Sequence, residues 1–366
     1  MRSLIVALAL PLAACGGAGN GLSSAGGNAT GSTGIALPPP AGSTATQANM
    51  FDVAAATKFD ALGAMHSLSI SAENTSLYRG NASTADAPTG SISYDPRDGI
   101  FVMTLGDDKA GVDRTIRFQD PAHRTTADSG YVERQVPLLA SFNYLSVLDD
   151  TVPATFFYQR PNSGGSFVSL AGFERNDKNA DGSFTSEQGV MVFGARTPMF
   201  QTPTKGSARF DGQFLATMVA QRDGSAPAQQ WLAGSSAVDV DFASRKVALS
   251  LSGTVGPTFV KDTVVPDNAL SIPTGSTFNA TGTASWGSFS NAFSGKFASA
   301  GFTSDGKVTP VDFTSVSAGT STAGASSIDG AFYGPDAKNI GGNFRIVGGI
   351  PNQRVDILGG FTGTKK

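Results

Sequence analysis

The side chains able to carry chemistry are few in this 366-residue chain: one cysteine, Cys15, and two histidines, His66 and His123. A histidine can ligate a metal or haem, or move a proton near neutral pH. His66, with Met65 and Leu68 around it, suggests a domain edge, and His123 sits in a polar stretch beside Arg124; for both the expectation is a solvated or simply packed ring. Carboxylates occur in adjacent pairs, Asp107-Asp108 and Asp149-Asp150. Neighbours in sequence are more often loop charges than an acid–base dyad, whose members must both reach the substrate. Asp177-Lys178-Asn179-Ala180-Asp181-Gly182 has oxygen donors at the first, third and fifth places of a calcium-type loop and glycine at the sixth. The twelfth place is Gln188, where such a loop needs a bidentate Glu. The flanks, Phe173-Glu174 and Phe184, read as strands, so the segment is expected to be a hairpin tip. There is no Gly-x-Ser-x-Gly, no His-Glu-x-x-His and no phosphate loop, and from Lys205 onward the chain has no His, Glu or Cys. A Ser-His-Asp set therefore cannot be assembled in the C-terminal half. The expectation is a binding protein rather than an enzyme, with no cofactor and no bound metal.

Charge narrows the partners. The formal net charge is -3 and only 15 % of residues are charged. Lys and Arg are scattered, which excludes nucleic acid as a partner because phosphate binding needs them clustered.

Cys15 is accounted for by export. Arg2 supplies a positive start, Leu4 to Leu12 form an apolar stretch, and Leu12-Ala13-Ala14-Cys15 follow. The stretch is far shorter than the roughly 20 residues that span a bilayer as a helix, and fits a secretory signal ending in small residues. The segment resembles the bacterial lipobox. That resemblance implies cleavage before Cys15 and a thiol carrying fatty acyl chains such as palmitate. Gly16 stands where enteric lipoproteins retained at the inner membrane tend to carry Asp, which points to the outer membrane.

The elements follow from composition and period. Residues 16–48 are almost all Gly, Ala, Ser, Thr, Asn and Pro, with Pro38-Pro39-Pro40 as a stiff kink. Such a stretch buries too little apolar surface to order itself, and as a coil it reaches about 30 Å. The expected organisation is a signal peptide at 1–14, a lipidated cysteine and tether at 15–48, a β-rich region at 49–204 and a β-barrel at 205–366. Met50 to Leu62 has mixed helical spacing and reads as one short helix. Strands are expected around Leu68–Ser71, Gly90–Tyr94, Ile100–Leu105, Thr115–Gln119, Thr155–Gln159, Phe167–Arg175 and Gly189–Ala195. Val136 to Leu148 has both spacings and is left open.

Beyond Thr204 the alternation is clearer. Val238, Val240 and Phe242 face one way and Asp239 and Asp241 the other; after a turn at Ala243-Ser244, Val247, Leu249 and Leu251 continue the apolar face. Gly-x-Phe recurs at Gly212-Gln213-Phe214, Gly295-Lys296-Phe297, Gly330-Ala331-Phe332, Gly342-Asn343-Phe344 and, as a variant, Gly359-Gly360-Phe361. A small and a large residue two apart on one strand face suit a tightly curved barrel of about eight strands filled by side chains. A two-sheet sandwich is the alternative.

The run Ile328-Asp329-Gly330-Ala331-Phe332-Tyr333-Gly334-Pro335-Asp336-Ala337-Lys338-Asn339-Ile340-Gly341-Gly342-Asn343-Phe344 resembles the C-terminal barrel motif of transferrin-binding protein B-like surface lipoproteins. Those proteins carry a Gly-x-Phe-Tyr-Gly-Pro strand end, a short helical turn and a Gly-Gly-x-Phe strand. The resemblance covers Lys205 to about Gly363. It implies a mainly β chain, with an N-terminal handle-like domain followed by an eight-stranded antiparallel barrel. Gly330, Phe332, Tyr333, Gly334, Pro335, Gly341, Gly342 and Phe344 are then structural residues, Gly330 and Gly334 for tight backbone and Phe332 and Phe344 for core. It further implies a monomeric outer-membrane or cell-surface lipoprotein. Such a protein takes up an iron source, haem or a host or environmental carrier protein, and assists a TonB-dependent outer-membrane receptor. The alternative function is a structural or adhesive surface lipoprotein without a small-molecule ligand.

Overall fold

Apolar and polar residues alternate at period two through most of the chain, and the computed structural model forms strands from them. It describes residues 55–97, 99–119, 142–159, 167–222, 225–268, 271–314, 324–351 and 353–366. Cys15, His123 and the segment before Ala55 lie outside these residues.

The first sheet contains β1 (Thr57–Ile70), β2 (Ser76–Ala82), β3 (Gly90–Asp95), β4 (Ile100–Asp107), β5 (Val112–Gln119), β6 (Phe142–Asp149), β7 (Val152–Gln159), β8 (Val168–Lys178) and β9 (Phe184–Gly194). Its order is β5-β4-β3-β1-β9-β8-β7-β6, with β2 paired to β1, and every pairing is antiparallel. The sheet curls round its own core. Rings from distant strands meet there: Phe118 and Phe156 at 5.5 Å, Phe101 and Tyr158 at 4.7 Å. Arg114 of β5 donates to Glu187 of β9 at 3.0 Å, and Arg175 of β8 reaches both Glu187 and, at 2.9 Å, Asp149 of β6.

The second sheet contains β10 (Ser207–Gln221), β11 (Ala228–Asp241), β12 (Lys246–Val255), β13 (Thr258–Val260), β14 (Thr263–Val265), β15 (Thr277–Ser285), β16 (Ala292–Ser304), β17 (Lys307–Pro310), β18 (Ala325–Tyr333), β19 (Asn339–Ile350) and β20 (Gln353–Lys365). Eight of them follow one another as β10-β20-β19-β18-β16-β15-β12-β11, and β11 pairs back onto β10. The ring is therefore a closed eight-stranded antiparallel barrel, which removes the free edges a sandwich would leave. Each Gly-x-Phe pair does share the inner face: Phe214, Phe297, Phe332, Phe344 and Phe361 all join the barrel core. The small partner makes room for a ring from elsewhere. A Cβ on Gly330 would lie 2.4 Å from Phe293 Cζ, and one on Gly359 2.5 Å from Phe344 Cζ.

Burial separates the two sides of the barrel. β15 alternates strictly between buried and exposed, and β12 does so from Lys246 to Ser252, one face in the core and one in water. β19 and β20 are buried on both faces because the first sheet covers their outer side. There Val168, Leu170, Val190 and Val192 of β8 and β9 lie against the barrel wall. The wall receives them at glycines: a Cβ on Gly341 would stand 2.8 Å from Val192, and one on Gly360 2.8 Å from Val192 and 3.0 Å from Val190.

One expectation fails. Residues 57–62, read as part of a helix, belong to β1. Phe59 and Ala61 face the first sheet's own core while Leu62 enters the cluster against the barrel. A strand buried on both faces is apolar at successive positions, so its spacing imitates a helix. Within the open segment 136–148, residues 142–148 form most of β6.

Candidate functional site

The outer face of the barrel that the first sheet leaves bare is built from short polar side chains in register. One row across the strands is Arg209, Asp239, Ala248, Thr283 and Lys296; the next is Ser207, Asp241, Lys246, Ser285 and Ser294. Ala248 and Thr283 are too small to fill the width between the charged ends, and an open groove of ≈ 1110 Å³ runs over them. Arg209 spans its end of the row, donating to Asp211 at 3.0 Å and Asp239 at 3.2 Å. Asp241 accepts from the amides of Ala243 (2.9 Å) and Ser244 (3.1 Å) in the β11–β12 turn. The Ser244 hydroxyl and those amides hold its carboxyl below the usual range. The second row continues from Ser294 to Asp329 and then Asn343, where it passes under the first sheet. Burial, reinforced by the nearby carboxylate of Asp86, pushes the Asp329 carboxyl up to about 6.

Among the described residues, nothing in this groove pairs a nucleophile with a base. It offers hydroxyls, small apolar surface and charges of both signs on a rigid wall, a surface suited to another protein more than to an enclosed small molecule.

The other candidates are engaged within the fold. His66 is fully buried between the sheets, with Nδ1 3.2 Å from Thr217 Oγ1 and Nε2 3.4 Å from the Gln229 amide nitrogen. Burial lowers it to about 3, so it stays neutral at physiological pH. Asp107 accepts from the Asn81 amide at 2.9 Å and from the backbone of Lys109 and Ala110, and Asp149 is held by Arg175. The calcium-like segment is the β8–β9 turn. Its Asp181 accepts the Ser183 amide at 2.8 Å, which ties that carboxylate into the turn, and the Gly182 carbonyl accepts Lys261 Nζ at 3.1 Å, which places an ammonium beside the loop.

The Gly-Pro motif closes the barrel end beside the groove. Phe332 and Tyr333 are fully buried, and Gly334 turns the chain at φ 74° against the Phe167 ring before the short turn Pro335–Ala337. Its carbonyl accepts Thr197 Oγ1 at 2.6 Å, and Thr197 N donates to the Phe332 carbonyl at 2.8 Å. Gly342 and Phe344 face inward. Gly341 faces the first sheet, and Asn343 beside it donates to the Gly63 carbonyl at 2.8 Å and to Ser83 Oγ at 3.0 Å. Alternation in β11 and β12 already marked the outward residues of the groove. Their alignment with Thr283 and Lys296 depends on strand register, which no local pattern gives.

Residues 202–365 match the family model described as the C-lobe and N-lobe β-barrels of Tf-binding protein B. This segment is similar to the transferrin-binding protein B barrels. Solved structures similar to the chain include a double mutant of transferrin-binding protein B from Haemophilus parasuis, with 12 % identity, TM-score 0.36, and coverage of 86 % of this chain and 76 % of that one. Transferrin-binding protein B from Neisseria meningitidis gives 15 % identity, TM-score 0.34, and coverage of 83 % and 43 %. A structure described as a surface lipoprotein gives 12 %, 0.35, and coverage of 83 % and 99 %. No curated protein sequence matches the chain. In this barrel, the groove lies on the strands that the first sheet does not cover.

Proposed function

We propose that the protein is a lipid-anchored surface or outer-membrane lipoprotein that captures an iron source, haem or a carrier protein and passes it to an outer-membrane receptor. The observation that carries this reading is the barrel match over residues 202–365. The first sheet then stands as the handle-like domain, Cys15 as the acylated residue and residues 16–48 as the leash. The protein acts by binding, not by catalysis. The groove over Ala248 and Thr283 is the proposed docking face for the protein partner, since its open shape and mixed charges favour a folded surface.

The reading is tested in three steps. Mass spectrometry of the protein isolated from membranes should find Cys15 as the first residue, carrying acyl chains. Protein released from the membrane should retain transferrin, haem proteins or its cognate receptor in a pull-down. Deletion should slow growth under iron limitation. Normal growth in that deletion, with cell attachment lost instead, supports the adhesive alternative and rejects uptake.

A further inference from the structure

We infer that the barrel end bearing Phe200 and Phe289 rests on an anionic lipid bilayer. Both rings stand almost wholly in solvent, 93 % and 88 % exposed, with Met199 beside Phe200 at 38 %. Single exposed apolar residues are ordinary on a protein surface. These belong to two separate segments that the fold brings together and holds. Phe200 tops the turn Met199–Gln201, fixed by Gln201 N to the Pro198 carbonyl at 2.8 Å. Phe289 tops the β15–β16 loop, fixed by Trp286 N to the Arg245 carbonyl at 3.4 Å and Ser290 N to the Gly287 carbonyl at 3.3 Å. The two segments join where the Asn291 amide donates to the Thr197 carbonyl. Apolar tips held rigid toward water need a partner that removes them from it.

Charge and chain path both point to lipid. Lys205, Arg245, Lys246 and Lys338 are exposed around the two tips. Asp211 and Asp239 are paired with Arg209, with Lys366 also on Asp211; Asp241, capped by turn amides, and exposed Asp336 on the turn Pro335–Ala337 remain, so four basic side chains stand against two carboxylates. Phenylalanine over a basic rim is the pattern of a segment lying in the headgroup region. The chain also enters at this end. Ala61 pairs with Phe193, so the start of β1 lies beside the end of β9, from which the Phe200 connector leaves. Ala55, the first described residue, is therefore at this end. A leash reaching about 30 Å keeps this end, rather than the far one, at high local concentration next to its anchor.

This inference takes the Cys15 anchor of the proposed function as its setting, so the test removes the acyl group. The chain from residue 15 carrying Cys15→Ser is mixed with vesicles of phosphatidylcholine plus phosphatidylglycerol, or of phosphatidylcholine alone, and sedimented. Binding to the anionic vesicles is expected, weakening as salt rises. Phe200→Ser with Phe289→Ser should lower partitioning about tenfold. Lys205→Glu with Lys338→Glu should abolish the preference for phosphatidylglycerol. Neither pair replaces a core residue, but Lys338 Nζ lies 5.4 Å from the Phe167 ring centroid, so an unchanged melting temperature is the required control for that pair. Equal partitioning of wild type and both variants overturns the inference. So does absence of vesicle binding by a chain whose two phenylalanines instead prove necessary for holding the purified receptor in detergent. An unmodified Cys15 in the cell would reject the anchor without touching the vesicle result.

Discussion

Replacing Gly360 by alanine tests whether the barrel wall is glycine because the first sheet lies on it. The new Cβ would stand 2.8 Å from Val192 Cγ2, 3.0 Å from Val190 Cγ1 and 3.2 Å from Leu170 Cδ1. Non-bonded carbons settle at about 3.5–4.0 Å, so β9 must retreat by about half an ångström or more. Both valines are on a strand paired along its length to β1 and β8 and have little freedom to turn. Overpacking of this kind costs about 1–3 kcal/mol. Against it, alanine restricts the unfolded chain and returns about 0.4–1 kcal/mol. The net expectation is a loss of about 1–2 kcal/mol, a fall in melting temperature of about 2–3 °C by calorimetry. Gly106→Ala is the control, because nothing lies within 4 Å of a Cβ there; it should be neutral or slightly stabilising. Val192→Ala removes the nearest offending carbon, so Gly360→Ala should cost less in that background, with a coupling of at least about 0.5 kcal/mol. If Gly360→Ala behaves like the control, or adds independently to Val192→Ala, the glycine seat is wrong.

Other expectations follow from the same contacts. Phe344→Ala should cost about 3–5 kcal/mol in urea denaturation, because its ring is fully buried against Phe214 and Phe297. Neutral His66, lowered from 6.5 to about 3, gives stability that is complete above pH 6.5 and is lost as pH falls toward 3. The whole loss is on the order of 4–5 kcal/mol, and His66→Gln should flatten it in acid titrations. Asp329 works the other way. Raised from 3.8 to about 6, it holds its proton in the folded state, so its contribution is complete below pH 3.8 and is lost as pH rises through 6. After allowance for solvent screening this is about 1–2 kcal/mol. Asp329→Asn should therefore raise stability at pH 7 and leave it little changed at pH 4.

The sequence alone determined the strand-rich character, the polar turns and the inward Gly-x-Phe pairs, because each is set by spacing within one strand. Val238 to Leu251 show it most plainly, since one face is core and the other is water. Tertiary structure decided what crosses between strands. Residues 57–62 looked helical because β1 is buried on both faces, and no local period distinguishes that from a helix turn. The groove exists because register aligns Arg209, Asp239, Ala248, Thr283 and Lys296, residues spread over 88 positions from 209 to 296. His66 was ambiguous as a lone ring; only the packing of Thr217 and Gln229 against it made it a buried neutral group. Gly341 stood only as part of the barrel motif and Gly360 only as the middle of a Gly-x-Phe variant; what selects glycine at each is a pair of valines arriving from another sheet. Side-chain alternation is a property of one chain segment, whereas contact between sheets depends on closure of the whole ring, and only the folded molecule contains that information.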